Sequence, residues 1–294
     1  MNRLISTVLA GGALVASSAS ATLIAAPTGP VHIKYSNFEQ ISATNAINNL
    51  NGGTEGNWGV FDISNINGGN NINPNTSFSR DNSNPLWAES DGGEYTGIFW
   101  GFQVTADPTK ATGGFLDIYY DPNNDASSTA TPTNRTGQTT FTGYTEGTLL
   151  VRLQFVPGAI EGDTSTTLAS SCSTASVTYQ DCQATLFANV FDKSGDGVID
   201  AADGLWAAAL DGNWFYRDVQ GNGTAGDQPG ERLDFSFANR FNNQTNWNGA
   251  AGTDIRGANS EDPVRGFGVP EPTSLALLGL SFLGLAAFRR ARGN

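Results

Sequence analysis

The feature that most constrains the fold is a set of short runs in which apolar and polar residues alternate. In the run 148–156, one face carries four apolar residues, Leu149, Val151, Leu153 and Phe155. Successive side chains of a strand point to opposite faces, so a period of two predicts a strand with one buried face. Similar runs occur at 58–63, 97–104, 114–121, 184–191 and 232–237. The sequence therefore predicts many short strands.

Turns separate these runs, and they contain the residue pairs Asn51-Gly52, Asn67-Gly68, Asp91-Gly92 and Asn248-Gly249. Such pairs supply the positive φ angles that hairpins need. No long amphipathic helix alternates with the strands, which argues against an α/β fold. We therefore expect a mainly β protein, an antiparallel sandwich or jelly-roll. Its long loops, rich in Asn, Gly, Ser and Thr, are expected at 64–85, 121–147 and 239–262.

The N-terminus has the three parts of a secretory signal peptide. Arg3 is followed by an apolar stretch at 4–16 and by the small residues Ala19 and Ala21. This order predicts cleavage after Ala21 and a mature chain that starts at Thr22. The alternative is a short N-terminal membrane anchor.

The C-terminus has a second ordered signal. It begins with Val269, Pro270, Glu271 and Pro272, continues with an apolar run at 275–288, and ends with Arg289, Arg290 and Arg292. As a single helix, this run would be about 21 Å long, shorter than the roughly 30 Å hydrocarbon core of a membrane. A short hydrophobic helix before a basic stop predicts a temporary anchor. An ordinary tail anchor is the alternative.

These C-terminal parts, in this order, resemble the PEP-CTERM sorting signal. The resemblance implies a Gram-negative bacterium and an exosortase in the inner membrane that processes the chain near the Pro-Glu-Pro triplet. It also implies transient anchoring in that membrane before the protein reaches the cell surface or the medium. The expected organisation is a signal peptide (1–21), an extracellular β-rich domain (22–265) and a sorting signal (266–294).

The charge of the chain narrows the possible partners. The net charge is −13 and the isoelectric point is about 4.3. Nucleic-acid binding needs a basic surface, so this class of partner is excluded. The two terminal signals contain four arginines and one glutamate, and the remaining chain is therefore more acidic still. A single histidine, His32, leaves little room for a histidine-ligated metal or a Ser–His–Asp relay.

One twelve-residue stretch, 192–203, has the spacing of a calcium loop. Gly197 stands at the sixth position, where a calcium loop turns sharply. Oxygen donors fall at positions 1, 3, 5, 7, 9 and 12, which are Asp192, Ser194, Asp196, Val198 (through its carbonyl), Asp200 and Asp203. A short helix is expected next, over 201–210. The alternative is an acidic glycine turn without an ion.

This stretch resembles the EF-hand-like loops of dockerins. The resemblance implies a structural Ca²⁺ ion. Ser194 and Asp203 depart from the EF-hand pattern, and the preceding run 184–191 is a predicted strand where an EF-hand has a helix. These differences predict weak binding, with a dissociation constant of about 10⁻⁴–10⁻³ M. A second stretch starting at Asp218 begins similarly but has no acid at position 12.

The two cysteines, Cys172 and Cys182, predict a disulfide, because an exported chain meets an oxidising compartment. A metal site is the poorer alternative, since no histidine lies nearby. A redox pair usually has the closer C-x-x-C spacing.

Carboxylates near aromatic residues are the remaining candidates for chemistry. Glu89, Asp91 and Glu94 lie close in sequence to Trp87, Tyr95 and Trp100, as in a sugar cleft or in a solvated acidic turn. The sequence has no G-x-S-x-G elbow and no H-E-x-x-H motif. We therefore expect a non-enzymatic surface or matrix protein that acts in biofilm, floc or exopolysaccharide association. The alternatives are a secreted carbohydrate-binding module and a glycoside hydrolase that uses a carboxylate pair.

Overall fold

The computed structural model describes residues 23–69, 80–172 and 182–269, which form mainly β-strands. The strands, in chain order, are β1 (Gly29–Ile41), β2 (Ile47–Asn48), β3 (Thr54–Glu55), β4 (Asn57–Gly69), β5 (Arg80–Ala88), β6 (Glu94–Val104), β7 (Lys110–Asp121), β8 (Arg135–Gly137), β9 (Thr140–Phe141), β10 (Thr148–Val156), β11 (Leu168–Ser170), β12 (Cys182–Val190), β13 (Phe215–Tyr216), β14 (Arg232–Leu233), β15 (Phe235–Asn243) and β16 (Arg256–Gly268). The helix α1 spans Ala207–Leu210, and three 3-10 turns span Glu89–Asp91, Pro132–Asn134 and Thr245–Trp247.

Eight of the longer strands form a closed, barrel-like sheet in which neighbouring strands are antiparallel. Their order is β1, β16, β15, β12, β10, β7, β6 and β4, and β4 pairs back to β1. From Val31 to Ile41, β1 has a partner strand on both edges. Two further strands extend this ring: β5 pairs with the second half of β4, and β11 pairs with β7 and β12. In an open sheet, one edge of β1 would have unpaired N–H and C=O groups. Closure of the sheet pairs both edges.

The predicted mainly β, antiparallel fold is confirmed, but one closed sheet replaces the two facing sheets of the expected sandwich or jelly-roll. Alternation indicates which face of a strand is buried, and it carries no information about which strands pair. Closure depends on β1 meeting both β4 and β16, and β16 lies at the other end of the described chain.

The interior of the sheet is the main core, and aromatic rings fill much of it, including Phe102, Phe155, Phe235 and Phe237. One inward position differs from the sequence prediction. Leu150 is fully buried whereas Leu149 is half-buried, because the register of β10 against β7 shifts between Leu149 and Val151. A β-bulge of this kind moves the preceding residues to the opposite face of the sheet.

A second apolar cluster lies on the outer face of β4 and β6. Its buried members are Ile47, Trp58, Val60, Ile98, Trp100, Phe141, Tyr144 and Trp247. Two of the segments expected to be long loops contribute to it: 121–147 includes β8 and β9, and 239–262 includes the end of β15 and the start of β16. In the third such segment, 64–85, β4 continues to Gly69 and β5 begins at Arg80. The predicted loops are therefore partly strand.

The predicted disulfide is confirmed. Cys172 lies just after β11 and Cys182 starts β12, and their Cα atoms are 5.2 Å apart. The bridge therefore joins two strands that already pair through residues 168–170 and 184–186.

The short helix after the predicted calcium loop is present but starts later than expected, at Ala207. Gly204 explains the delay. It has a φ of +149°, and a Cβ atom there would lie 2.5 Å from the carbonyl oxygen of Leu150. The N–H groups of Leu205 and Trp206 donate to the carbonyls of Leu149 and Leu150. The chain thus follows β10 before it becomes helical.

Candidate functional site

The C-terminal signal begins where the closed sheet ends. β16 continues to Gly268, inside the segment 266–294 that the sequence assigns to the sorting signal. The backbone N–H of Val269 then donates to the carbonyl of Ala209 at 2.7 Å. The remaining predicted elements of both terminal signals lie outside the described residues: Pro270, Glu271, Pro272, Arg289, Arg290, Arg292, Ala19 and Ala21.

The final residues of β16 are packed closely. The ring of Phe267 stacks on Trp214, with centroids 3.9 Å apart and planes within 6°. Gly268 faces Gly29 of β1, and a Cβ atom at Gly268 would lie 1.8 Å from the carbonyl oxygen of Pro27. The first described residues and the start of the sorting motif therefore lie at the same end of the sheet.

The predicted calcium loop is organised by its first aspartate. Asp192 Oδ1 accepts from the N–H of Gly195, and Oδ2 accepts from the N–H of Gly197, each at 2.6 Å. Both glycines have positive φ angles, a conformation that glycine adopts without steric cost. The Gly197 N–H is the main cause of a lowered Asp192 pKa. A carboxylate that accepts such bonds stays ionised.

The last aspartate closes the loop. Asp203 is fully buried; its Oδ1 accepts from the N–H of Ser194 at 2.8 Å, and its Oδ2 accepts from that of Asp200 at 3.0 Å. Asp196 and Asp200 are bonded more locally, to the N–H groups of Val198 and Ala202.

In donor chemistry the loop fits a hard cation, which prefers carboxylate, hydroxyl and carbonyl oxygens. The positions of its carboxylate oxygens fit such an ion less well. No three of its carboxylates, all of which lie in the described part of the chain, have oxygens within 4.8 Å of one another. Oxygens at about 2.3–2.6 Å from one ion lie about 5 Å apart when they face each other across it, and closer together in every other arrangement. The carboxylates of Asp196 and Asp200 would therefore have to turn from their N–H donors toward the ion.

A second loop, 218–231, has the same hydrogen-bonding scheme. Asp218 accepts from the N–H of Gly223, five residues on, as Asp192 does from Gly197. Glu231 is fully buried and accepts from the N–H groups of Gln220 and Gln228, as Asp203 does from Ser194 and Asp200. The closing acid is the fourteenth residue of this loop. The twelve-residue spacing rule therefore misses Glu231, and a search that allows two extra residues would find it.

Among the described residues, Glu94, Asp121 and Asp125 form a group whose carboxylate oxygens lie within 4.8 Å of one another. Glu94 and Asp121 are buried, and Asp125 is exposed. Burial raises the pKa of Glu94 to about 7, and Asp125 and Asp62 add to the increase. The sequence places Glu94 with Glu89 and Asp91. The structure instead leaves those two exposed on a 3-10 turn.

The aromatic residues near these carboxylates do not form an open sugar platform. Trp87, Tyr95 and Trp100 are 2%, 0% and 4% exposed. Of the six tryptophans, only Trp214 is more than 4% exposed. A sugar ring needs an exposed aromatic face on which to stack. Nothing in the arrangement of these three residues provides one.

Inside the sheet, a group of polar side chains surrounds Glu39. Asn57 Nδ2 donates to Glu39 Oε2 at 2.6 Å, and Asn37 Nδ2 lies 3.4 Å from Oε1. Glu39 lines two neighbouring cavities of about 40 and 30 Å³. Burial raises the pKa of Glu39 to about 8, against the lowering effect of the two asparagines.

No helix within residues 23–69, 80–172 and 182–269 is long and apolar enough to cross a bilayer.

Comparison with known protein families supports the C-terminal assignment. The model of the PEP-CTERM protein-sorting motif matches residues 268–291. Searches of curated proteins and of solved structures gave no match. The motif implies a secreted protein of a Gram-negative bacterium that is sorted through the membrane by an exosortase.

Proposed function

We propose that this protein is a non-enzymatic component of the cell surface or extracellular matrix. Its closed β-sheet is exported, held briefly at the inner membrane and released from its C-terminal segment by an exosortase. Outside the cell it associates with exopolysaccharide, in a biofilm or floc. The observation that carries the proposal is the sorting motif at 268–291, which starts at the last residue of β16.

The export and processing steps can be tested by intact mass measurement of the protein recovered outside cells of its native host. We expect a chain that begins near Thr22 and ends near Pro270, lighter by the two hydrogens of the Cys172–Cys182 bridge. C-terminal peptide mapping then locates the new end. A mature protein that retains Arg289–Arg292 would instead be permanently anchored, and the matrix role would have to be abandoned.

The burial of the acidic and aromatic groups supports a non-enzymatic role. In the group of three carboxylates, Glu94 and Asp121 are 3% and 5% exposed, which leaves Asp125 as the member that a substrate could reach. A glycosidase needs two carboxyl groups on either side of a bound sugar. Hydrolysis of a polysaccharide that stops on Glu94→Gln substitution would contradict this part of the proposal.

Association with polysaccharide would use polar loops instead of an aromatic platform. The turn segments 122–134 and 245–254 present Asn, Ser and Thr side chains at the surface, and hydroxyl and amide groups hydrogen-bond to sugars. A carbohydrate-binding module with stacked aromatic residues is less well supported, because nearly all tryptophans are buried. Co-sedimentation with the host's own exopolysaccharide, compared with cellulose, separates the two possibilities.

We also propose that Ca²⁺ binds the loop 192–203 and braces the chain between β12 and α1. The residues that would hold the ion are Asp192, Ser194, Asp196, Asp200 and Asp203, together with the Val198 carbonyl. The loop has four aspartates in twelve residues, and a bound cation would offset their repulsion. The role is structural, and the expected affinity is that of extracellular calcium modules.

Removing calcium should lower the melting temperature by about 1–7 °C. An ion at about 2 mM with a dissociation constant of about 10⁻⁴–10⁻³ M contributes about 0.6–1.8 kcal/mol to stability. We expect Asp196→Asn to abolish this response to EDTA. Asp125→Asn is the matched control, since it removes one carboxylate charge from the other acidic group. If Asp125→Asn abolishes the response and Asp196→Asn does not, the ion binds beside Glu94. No response to EDTA in the parent protein would remove calcium from the proposal.

A further inference from the structure

The sorting motif begins where the folded sheet ends. Val269 is fixed by its hydrogen bond to Ala209, and Glu271 is two residues further along the chain. Two residues span at most about 7 Å. One layer of polypeptide, the thinnest wall that a binding groove can have, is about 10 Å thick. A processing enzyme cannot enclose Glu271 while Val269 remains in place.

Releasing the end of β16 solves this problem. If residues 266–269 leave the sheet, the free chain before Glu271 lengthens by about 13 Å, to about 20 Å in total. That length is enough for a groove wall one layer thick. The segment that would have to leave is held by the Phe267–Trp214 stack and by the Val269–Ala209 hydrogen bond. We call Phe267, Trp214, Val269 and Ala209 together the C-terminal clamp.

Compared with the clamp, the pairing with β1 contributes little to holding residues 266–269 in the sheet. Its three pairs are Gly266 with Val31, Phe267 with Pro30, and Gly268 with Gly29. Glycines have no side chains to pack across strands, and Pro30 has no N–H to donate. On the other edge of β16, Gly266 pairs with Phe235 of β15, and the register with β15 begins at that residue. Beyond Gly266, the ring stack and the single hydrogen bond are therefore the main contacts that hold the end of β16.

We propose that the exosortase recognises residues 266–269 together with the motif, and binds them only after the C-terminal clamp opens. Processing of the folded protein then depends on the local opening of β16, with Trp214 as a positioning residue that controls it. The inference rests on the proposed sorting function. It adds a recognition segment that lies within the folded sheet.

The test measures how fast the full-length precursor loses its C-terminal segment in a host that carries an exosortase. Trp214→Ala removes the ring stack, which should speed processing by roughly threefold to tenfold. Phe115→Ala is the matched control. It removes another stacked ring, the partner of Trp100, on β7, four strands from β16 around the closed sheet. We expect it to leave the rate unchanged within about twofold.

A spacer makes the test independent of general destabilisation. Eight Gly and Ser residues inserted between Val269 and Pro270 add up to about 27 Å of chain, so the clamp no longer needs to open. We expect rapid processing of this variant, with no further increase from Trp214→Ala. Equal rates for the parent, Trp214→Ala and spacer precursors would overturn the clamp proposal alone. No processing of any precursor, the spacer variant included, would instead overturn the sorting function.

Discussion

Replacing Arg135 with methionine is expected to lower the free energy of unfolding by about 3–5 kcal/mol. Arg135 and Glu55 form an ion pair on the outer face of β4 and β6, with side chains only 2% and 0% exposed. The guanidinium also lies 4.2 Å from the centroid of the Trp58 ring and donates to the carbonyl of Gln138 at 2.9 Å. Methionine can fill much of the same space over Trp58. The loss therefore reports mainly the buried charge that remains.

That charge is the carboxylate of Glu55. Without Arg135, its only remaining hydrogen-bond donor in the described structure is the N–H of Gly101, at 2.7 Å. Burial already raises the pKa of Glu55 in the presence of the arginine. Replacing Arg135 removes the attraction that opposes this increase, so the ionised form of Glu55 becomes less favourable in the folded protein. The destabilisation should therefore grow as the pH rises.

Urea unfolding of three variants checks this explanation. In the Arg135→Met background, Glu55→Gln should restore more than half of the lost stability, because it removes the unpaired charge. Lys110→Met is the matched control, since Lys110 pairs with Asp107 and Asp163 at 3.8 Å on the surface. Such solvent-exposed pairs contribute little to stability. If Arg135→Met costs no more than Lys110→Met, the buried pair is not a major source of stability.

The second large effect is expected from Glu39→Gln, which should remove a large part of the stability that the parent protein loses as the pH rises. Glu39 is 2% exposed, and no Lys or Arg in the described chain is ion-paired with it. Its pKa is about 8 in the folded state and 4.5 in its ordinary state. Between these values the folded protein keeps the proton and the unfolded chain releases it. The stabilising contribution is therefore complete below pH 4.5 and is lost as the pH rises to 8.

The loss should amount to about 3–4 kcal/mol across that range, at about 1.36 kcal/mol for each pH unit. Glutamine does not titrate, and its amide can accept from Asn57 as the carboxyl group does. Its N–H₂ group meets the N–H₂ group of Asn37, but the cavity of about 30 Å³ that Asn37 also lines has room for a water that accepts from it. We expect the variant to be slightly less stable than the parent at pH 5 and about 2–3 kcal/mol more stable at pH 8.

Unfolding curves measured from pH 5 to pH 8 provide the check, and the quantity to compare is the difference between parent and variant. Burial also raises the pKa of Glu94 and Asp234, each to about 7, but these groups titrate in both proteins and cancel. Glu161→Gln, at an exposed turn residue, should leave the pH dependence of the parent unchanged. A constant difference between the parent and Glu39→Gln at every pH would mean that Glu39 does not titrate in this range.

The strands that the sequence predicts best are those with apolar residues at every second position. β10 matches its predicted range, and β6 and β7 contain theirs. Of the two strands that close the sheet, β16 does not show this pattern, and β1 shows it only in its first half, at Val31, Ile33 and Tyr35. Their inward positions include Asn37, Glu39 and Ser260, which are buried and hydrogen-bonded inside the sheet. Polar residues at inward positions interrupt the apolar alternation, so a rule based on hydrophobicity does not predict the whole strand.

The candidate sites show a similar limit. The spacing of acids and glycines locates the loop 192–203, and the structure supplies the N–H donors that hold Asp192 and Asp203. The twelve-residue spacing does not identify Glu231 as the acid that closes a second loop of the same kind, because that loop is two residues longer. The sequence also does not predict the contact of the sorting motif with α1, since Val269 and Ala209 are sixty positions apart.

The pairing of the first strand with the last has a consequence for the order of events during secretion. Gly29 pairs with Gly268, roughly 240 positions later in the chain. When β1 and β4 have reached the periplasm, one edge of β1 still lacks its partner and remains so until 256–268 follow. Unpaired edges of this kind are templates for association between chains. The net charge of the protein, −13 overall, would keep these incomplete sheets apart during that interval. The acidity of the chain thus protects a nascent protein whose sheet is completed last, where its sorting motif begins.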